Sequence, residues 1–254
     1  MTLPIIIHTY LFTLGAVLGS FFNVVGLRVP EGQSIVRPRS ACPGCRHQLA
    51  AKELIPIFSF FLQKGSCARC GTSISPIYPA MELAAALLFT MTPLLIGWTM
   101  ELVVAWTLIS LCLIVMVSDI RYMIIPDKVL LFFLPLLAAE RIFIPLVPWW
   151  DPIAGLLLGA LIPFVIILAS GGGMGAGDMK LLGVFGLALG WKLVLLAFFL
   201  ATLFGTAAGL TGIAAGKVKK GKPFPFGPYL VLGALVSYFK GYELIDWYLS
   251  WFSL

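Results

Sequence analysis

The sequence predicts an all-α polytopic membrane protein with about eight transmembrane helices and one small polar insert. Apolar residues make up 60% of the chain and charged residues only 11%, whereas an ordinary soluble domain carries about 25% charged residues. The apolar residues fall into eight runs, and a helix needs roughly 20 such residues to cross a bilayer. A single long polar segment lies between the first two runs. This composition excludes an ordinary soluble domain.

Each run predicts one helix. The first is expected to be a retained helix, because its run is longer than the apolar core of a usual signal peptide. The sixth is short and is expected to start deeper or to merge in part with the seventh across residues 190–192. The expected spans are Leu3–Leu27, Ala80–Gly97, Leu102–Ser118, Val129–Leu146, Ile153–Ser170, Met179–Gly190, Leu193–Ala215 and Phe226–Phe239. The predicted domains are residues 1–27, a first transmembrane helix, residues 28–78, a cytoplasmic insert, and residues 79–254, a transmembrane domain.

Positive charge orients these helices, because Lys and Arg concentrate in cytoplasmic loops. Fourteen of the 17 basic residues fall on one side if the eight spans alternate from an outside N-terminus. They are seven in residues 28–78, four in residues 216–222, and Arg121, Lys128 and Lys180, whereas Arg141, Lys192 and Lys240 fall on the other side. Cytoplasmic loops near anionic lipid explain the net charge of +6. No nucleic-acid partner is expected.

The insert carries two C-x2-C pairs, Cys42/Cys45 and Cys67/Cys70, separated by 21 residues. This spacing is close to that of a four-thiolate zinc site. Gly44 and Gly71 are expected to allow the tight turn in each pair. A cytoplasmic loop is a reducing environment, which favours a metal over cross-links, and two disulfides remain the alternative. We therefore expect a zinc-ribbon-like insert with structural Zn²⁺, and Cys112, alone in an apolar run, as a packed core thiol.

Two aspartates lie at the ends of apolar runs. Asp119 closes the third run and Asp178 opens the sixth, directly after a glycine-rich segment. A carboxylate at membrane depth is costly unless it faces protein or water, so each marks a functional site. If packing brings the two together they can share a proton and perform aspartic-protease chemistry. Asp178 can equally be a helix cap, and Asp127, which follows Pro126, is the rival of Asp119 and is expected to cap the fourth span.

A series of motifs extends over nearly the whole chain: GSFFNVV from Gly19, Arg28, RSACPGC from Arg39, Ile55, Pro56, Ser59, Gly65, the second cysteine pair, ISPIYP from Ile74, Glu82, DIRYMIIPD from Asp119 and MGAGDMKLL from Met174. In these motifs and in their order the chain resembles the type IV prepilin peptidases, which are intramembrane aspartic proteases of the G-x-G-D kind. Several family members carry an acidic residue where Arg121 stands, and this chain departs from them there. The resemblance assigns the catalytic roles to Asp119 and Asp178.

This resemblance implies a multi-pass enzyme of the bacterial inner membrane. Its substrates would be type IV prepilins or the similar pseudopilins of type II secretion, cut at the cytoplasmic face. Bifunctional members of the family also methylate the new N-terminus with S-adenosylmethionine, so this cofactor is implied as well. No Gly-rich strand-turn-helix of the usual soluble methyltransferase kind occurs in the sequence, and methylation is therefore implied by the resemblance alone.

Two other classes of function stay open at this stage. A proton-coupled transporter or channel would use Asp119 and Asp178 to relay protons or bind cations, and would be expected to show internal repeats and broken helices at the bilayer midplane. A noncatalytic assembly protein would use the insert to dock cytoplasmic secretion partners. Asn23, in the first apolar run, is expected to hydrogen-bond between helices.

Overall fold

The computed structural model describes residues 2–171, 173–216 and 224–251 of the chain. Within them the secondary structure is helical, with two isolated β-bridges in the insert. The α-helices are α1 Thr2–Arg28, α2 Phe58–Leu62, α3 Ile77–Ile96, α4 Glu101–Tyr122, α5 Asp127–Phe143, α6 Asp151–Ser170, α7 Ala176–Leu189, α8 Trp191–Ala214 and α9 Gly227–Ser250, and a 3₁₀ turn spans Ala51–Leu54. The predicted all-α fold is confirmed, and each of the eight predicted spans overlaps one of the long helices.

Five of the described helices, α1, α3, α4, α6 and α8, are long and apolar enough to cross a membrane. The sequence predicts about eight transmembrane helices. Helix α5 has 17 residues and α7 has 14, both short of the roughly 20 that a lipid-exposed span needs. Residues 181–189 of α7 are all buried, so this helix is surrounded by protein along most of its length. The second half of α9 carries Lys240, Glu243 and Asp246.

The chain forms two compact units, Met1–Leu102 and Val103–Leu254. In the first, α1 packs on α3. A Cβ added at Gly15 or Gly19 would meet the backbone of α3 at under 3.0 Å, so these small residues allow the helix backbones to touch. Asn23 Nδ2 donates a hydrogen bond to the Tyr78 carbonyl at 3.1 Å, and it is therefore an interhelical hydrogen-bonding group, as expected.

In the second unit, α6 and α7 pack against each other through small residues. A Cβ on Gly155 would lie 2.1 Å from the Gly186 carbonyl oxygen, and one on Gly159 would lie 2.4 Å from that of Leu182. No side chain larger than hydrogen fits at these positions. Helix α7 also contacts α5, α8 and α9, which accounts for its burial.

Buried polar groups hold the end of α7 that is opposite Asp178. The Arg141 guanidinium donates hydrogen bonds to the Ala188 carbonyl, and Asp151 Oδ1 accepts the Trp191 N–H at 2.9 Å. Gly190, with φ +83°, separates α7 from α8. The partial merger of these two helices that the sequence left open is therefore not seen, because the chain turns at Gly190 and the flanking backbone groups are capped by side chains.

Candidate active site

Asp119 is held at the carboxyl end of α4 by a tight turn. The Met123 N–H donates to the Asp119 carbonyl at 2.8 Å, and the Ser118 hydroxyl donates to the Ile124 carbonyl at 2.5 Å. Met123 has φ +55°, a left-handed conformation that ends the helix. The Asp119 side chain is only 5% exposed, so its carboxylate faces protein and not the open surface.

The first residue of α9 binds this carboxylate. The Gly227 N–H donates to Asp119 Oδ2 at 2.8 Å, and the bond is buried. A Cβ on Gly227 would lie 2.8 Å from the same oxygen and 2.9 Å from Cγ, so only glycine fits. Sequence analysis missed Gly227, since it lies 108 residues from Asp119 and acts through its backbone. The local sequence marks this position only as a Gly-Pro pair, Gly227 and Pro228, which indicates the start of a helix and no contact with Asp119.

Asp178 is the third residue of α7, and Gly175 is the residue at the N-cap position. Asp178 therefore does not occupy the N-cap itself, but its Oδ2 accepts the Gly175 N–H at 3.2 Å. A Cβ on Gly177 would lie 3.1 Å from the Cβ of Ile125. Gly177 thus lets the first turn of α7 approach the turn after α4, which carries Asp119.

The two carboxyl groups come from segments that touch, because Gly177, next to Asp178, contacts Ile125 in the turn that follows Asp119. Each uses one oxygen, Oδ2, to accept a backbone N–H. Among the described residues no protein donor is found for the other oxygen of either group. The helix N-termini of α7 and α9 both lie at this site, and such ends favour negative charge. This arrangement can bind a water molecule and exchange protons with it.

Asp127, the rival of Asp119, has a different partner from the one expected. It is the first residue of α5 and makes no capping hydrogen bond with its side chain. Instead both of its oxygens bind Lys180 Nζ at 2.8 Å, in an exposed ion pair. The predicted helix cap is wrong, because a cation one half-turn beyond Asp178 offers the carboxylate a stronger partner than a backbone N–H.

The four insert cysteines form a second cluster, with their Sγ atoms all within 4.8 Å of one another. Cys42 and Cys70 Sγ are 3.6 Å apart, and Cys45 and Cys67 Sγ are 4.0 Å apart. A tetrahedral zinc ion with Zn–S bonds of about 2.3 Å requires sulfurs about 3.8 Å apart. All cysteines are free thiols, and the alternative of two disulfides is not seen. The donor set fits one zinc ion.

Both cysteine pairs use the same backbone turn. The first cysteine of each pair exchanges hydrogen bonds with residues four and five positions later: Cys42 with Arg46 and His47, and Cys67 with Gly71 and Thr72. Within these two turns the residues with positive φ are Arg46 and Gly71. The prediction that glycine allows the tight turn therefore holds for Gly71 and is wrong for Gly44. Gly44 is needed for close approach instead, because a Cβ there would lie 2.5 Å from the Thr72 hydroxyl.

Thr72 also prepares Cys70 for metal binding. Hydrogen bonds from the Thr72 side chain and backbone lower the pKa of the Cys70 thiol to about 6. The thiolate is the form that binds a metal ion. Cys112 is buried within α4 and lies outside the cluster, as expected of a packed core thiol.

Comparison with known proteins covers most of the chain. Residues 13–96 match the bacterial peptidase A24 N-terminal domain, and residues 106–210 match the type IV leader peptidase family. A Bacillus subtilis (strain 168) prepilin leader peptidase/N-methyltransferase is 44% identical, with 94% of this chain and 97% of the relative covered. Proteins of the same name from Aeromonas salmonicida (strain A449) and Pseudomonas aeruginosa are 33% and 30% identical, covering 98% and 93% of this chain and 96% and 91% of the relatives. No solved structure matches.

Proposed function

Because the chain belongs to the type IV leader peptidase family, we propose that Asp119 and Asp178 are the catalytic pair with which it removes the leader of prepilins. The chain is an enzyme of this family, and its relatives carry names that join the peptidase to an N-methyltransferase. One observation carries the assignment of the pair. Asp119 and Asp178 come from separate helices whose ends meet where Gly177 contacts Ile125, and each keeps one oxygen without a protein donor in the described chain.

The proposed reaction is general acid-base hydrolysis. One aspartate, ionised, takes a proton from a water molecule while the other, protonated, donates a proton to the scissile carbonyl. The water oxygen attacks the carbonyl carbon, and the roles reverse as the amine leaves. The Gly227 N–H holds Oδ2 of Asp119, and the Gly175 N–H holds Oδ2 of Asp178. Because both donors belong to the backbone, they fix the orientation of each carboxylate and therefore the position of its other oxygen. No covalent intermediate on the enzyme is required.

Helix direction supports cleavage at the cytoplasmic face. Asp119 lies at the end of α4 that leads to Lys128, and Asp178 lies two residues before Lys180. Lys and Arg concentrate in cytoplasmic loops, so the positive-inside rule assigns both aspartates and the basic insert to the cytoplasmic side. A substrate with a short basic leader and an apolar helix after the cut would place its leader in the cytoplasm and its helix in lipid. Type IV prepilins and type II pseudopilins are both substrates of this form, and we propose an inner-membrane location.

The zinc ion that fits Cys42, Cys45, Cys67 and Cys70 would have a structural role. Four thiolates fill its tetrahedral coordination and leave no position for a catalytic water. When bound, it supplies a cross-link between the two cysteine turns. S-adenosylmethionine is proposed as a cofactor because the relatives are named as N-methyltransferases. No described residue is assigned to it, since the described chain lacks the strand-turn-helix on which soluble methyltransferases hold this cofactor.

The transporter and docking alternatives are not favoured, because the family match extends over both halves of the chain and the relatives are named as enzymes. Substitution of the pair tests the assignment. Asp119→Asn and Asp178→Asn proteins, purified and incubated with a prepilin, should give no new N-terminus by mass analysis, because Asn keeps the shape but cannot exchange the proton. Normal cleavage by either variant refutes the pair. Methylation of an already cleaved pilin by both variants would show that they remain folded.

A further inference from the structure

An apolar patch on the insert is left uncovered by the described residues of its own unit, Met1–Leu102. It consists of Leu54, Ile55, Phe58, Phe61 and Leu62, all exposed, with Phe61 at 69% and Leu62 at 79%. A contiguous group of large apolar side chains on a polar domain marks an interaction surface. We propose that this patch lies in the interfacial region of an anionic membrane leaflet and docks the insert on the bilayer from which it emerges.

Helix α2 supplies Phe58, Phe61 and Leu62 of the patch, and the 3₁₀ turn before it supplies Leu54, with Ile55 directly after that turn. Phe60 is half-buried and packs over Gly65, where an added Cβ would lie 3.1 Å from the ring. Phe58, Phe61 and Leu62 point away from the insert. The helix is therefore apolar on both sides, with Phe60 fastening it to the insert and Phe58, Phe61 and Leu62 facing outward. Aromatic and aliphatic side chains that face outward beside a membrane gain free energy by entering the boundary between headgroups and acyl chains.

A hydrogen bond places α2 at the level of the membrane surface. The Ile57 N–H, directly before α2, donates to Glu82 Oε2 at 2.7 Å. Glu82 is five residues into the membrane-spanning helix α3, or about 7.5 Å along its axis. The insert is also tethered at its other end, because α1 is a candidate span that ends at Arg28. The patch thus emerges where both spans leave the bilayer.

The turn that aims α2 is strained. Ile57 has φ +65° and ψ −56°, and Phe58 N–H donates to the Pro56 carbonyl across it. This γ-turn is the rare positive-φ type, and a β-branched residue adopts positive φ only when its surroundings impose it. The Glu82 carboxylate supplies that constraint. The strained turn and its bond to Glu82 therefore fix the start of α2 against α3.

Charge selects the occupant of the patch. The segment 28–78 holds seven Lys or Arg and two acidic residues, Glu31 and Glu53. Lys52 and Lys64 are exposed and flank the patch in sequence. A basic leader peptide and a second copy of this insert would both be repelled by this charge. An anionic lipid surface attracts basic residues, and its acyl boundary accepts aromatic and aliphatic side chains.

Photo-crosslinking in vesicles tests this inference. The full-length protein carries p-benzoylphenylalanine in place of Phe61, or in place of Gln48, an exposed residue of the cysteine turns, as the matched control. After reconstitution in phosphatidylethanolamine and phosphatidylglycerol, illumination should give several-fold more lipid adduct at position 61 than at position 48. The adduct should decrease when phosphatidylglycerol is replaced by phosphatidylcholine, and in a Lys52→Gln, Lys64→Gln background.

Equal lipid adduct at positions 61 and 48 overturns the proposal. Cross-links from position 61 to a second copy, to an added prepilin, or to residues 103–254 of the same chain overturn it as well, since each identifies a different occupant. Zinc content and prepilin cleavage are measured on the same preparations, which establishes that the labelled proteins are folded. Because lipid contact is read directly, failure of this test leaves the peptidase assignment unaffected.

Discussion

Replacing Gly227 by Ala perturbs Asp119 without changing any ionisable group. The new Cβ would lie 2.8 Å from Asp119 Oδ2, 2.9 Å from Cγ and 3.0 Å from Cβ. Real Cβ atoms do not approach heavy atoms this closely, and the neighbour is buried. Either the start of α9 or the carboxylate must therefore move, and the hydrogen bond between them, 2.8 Å long, is lengthened or lost.

The expected loss of activity follows from that bond. A hydrogen bond to a charged group contributes about 1.5–3 kcal/mol, which corresponds to a decrease in kcat of roughly 10- to 160-fold. A displacement of the carboxylate by about 1 Å costs on the order of 100-fold. KM should change little, since Gly227 is proposed to contact Asp119 and not the substrate. Gly227 is in this sense a positioning residue.

Gly209→Ala is the matched control, because an added Cβ on Gly209 in α8 meets nothing within 4 Å. Both variants are assayed with a prepilin in detergent, with initial rates taken by mass analysis over a range of substrate concentrations. The Gly209 variant should retain normal kcat. A Gly227→Ala protein with unchanged kcat would refute the positioning of Asp119 by α9, whereas a parallel loss of methylation on cleaved pilin would indicate general unfolding.

Three further predictions concern other features. Asp127→Asn should lower the cleavage rate less than about five-fold, because an exposed ion pair contributes about 1 kcal/mol or less; a loss as complete as that expected for Asp178→Asn would make Asp127 a member of the pair. Cys67→Ser should reduce bound zinc from about one ion per chain by metal analysis, because an alcohol is a poor zinc ligand, and should leave part of the cleavage activity, because no cysteine belongs to the proposed pair; unchanged zinc content would contradict the four-thiolate site. Arg141→Ala should destabilise the protein by about 1–3 kcal/mol in denaturant titration, since it removes the donor of the buried Ala188 carbonyl, whereas the exposed Lys240→Ala should change the stability little.

Much of the fold could be predicted from the sequence, because lipid requires each spanning segment to satisfy its own backbone and so produces long apolar runs. The helices followed those runs. The cysteine cluster could be predicted as well, since a metal site fixes the spacing of its ligands. Asp119 and Asp178 were noticed because charge is rare in such segments, and their catalytic roles remain a prediction.

Features that depend on backbone contacts between distant segments could not be predicted. A backbone N–H such as that of Gly227 cannot be distinguished in a sequence, and its contact with Asp119 exists only once the first residue of α9 meets the end of α4. The pairing of Asp127 with Lys180 was missed for a related reason. A local rule assigned Asp127 to its own helix, but a cation 53 residues away competes for it once α5 and α7 are adjacent.

The close contact of α6 with α7 fixes the position of α7, and of Asp178 on it, along the axis of α6. Because Gly155 and Gly159 meet the α7 backbone with no space for a side chain, α7 cannot slide or rotate along α6 without a clash. If Asp178 is a member of the catalytic pair, as proposed, its depth below the headgroups is then set by the enzyme. A substrate would have to bring its scissile bond to that depth, and the position of the cut would depend on the distance from the membrane surface as well as on the residues that flank it.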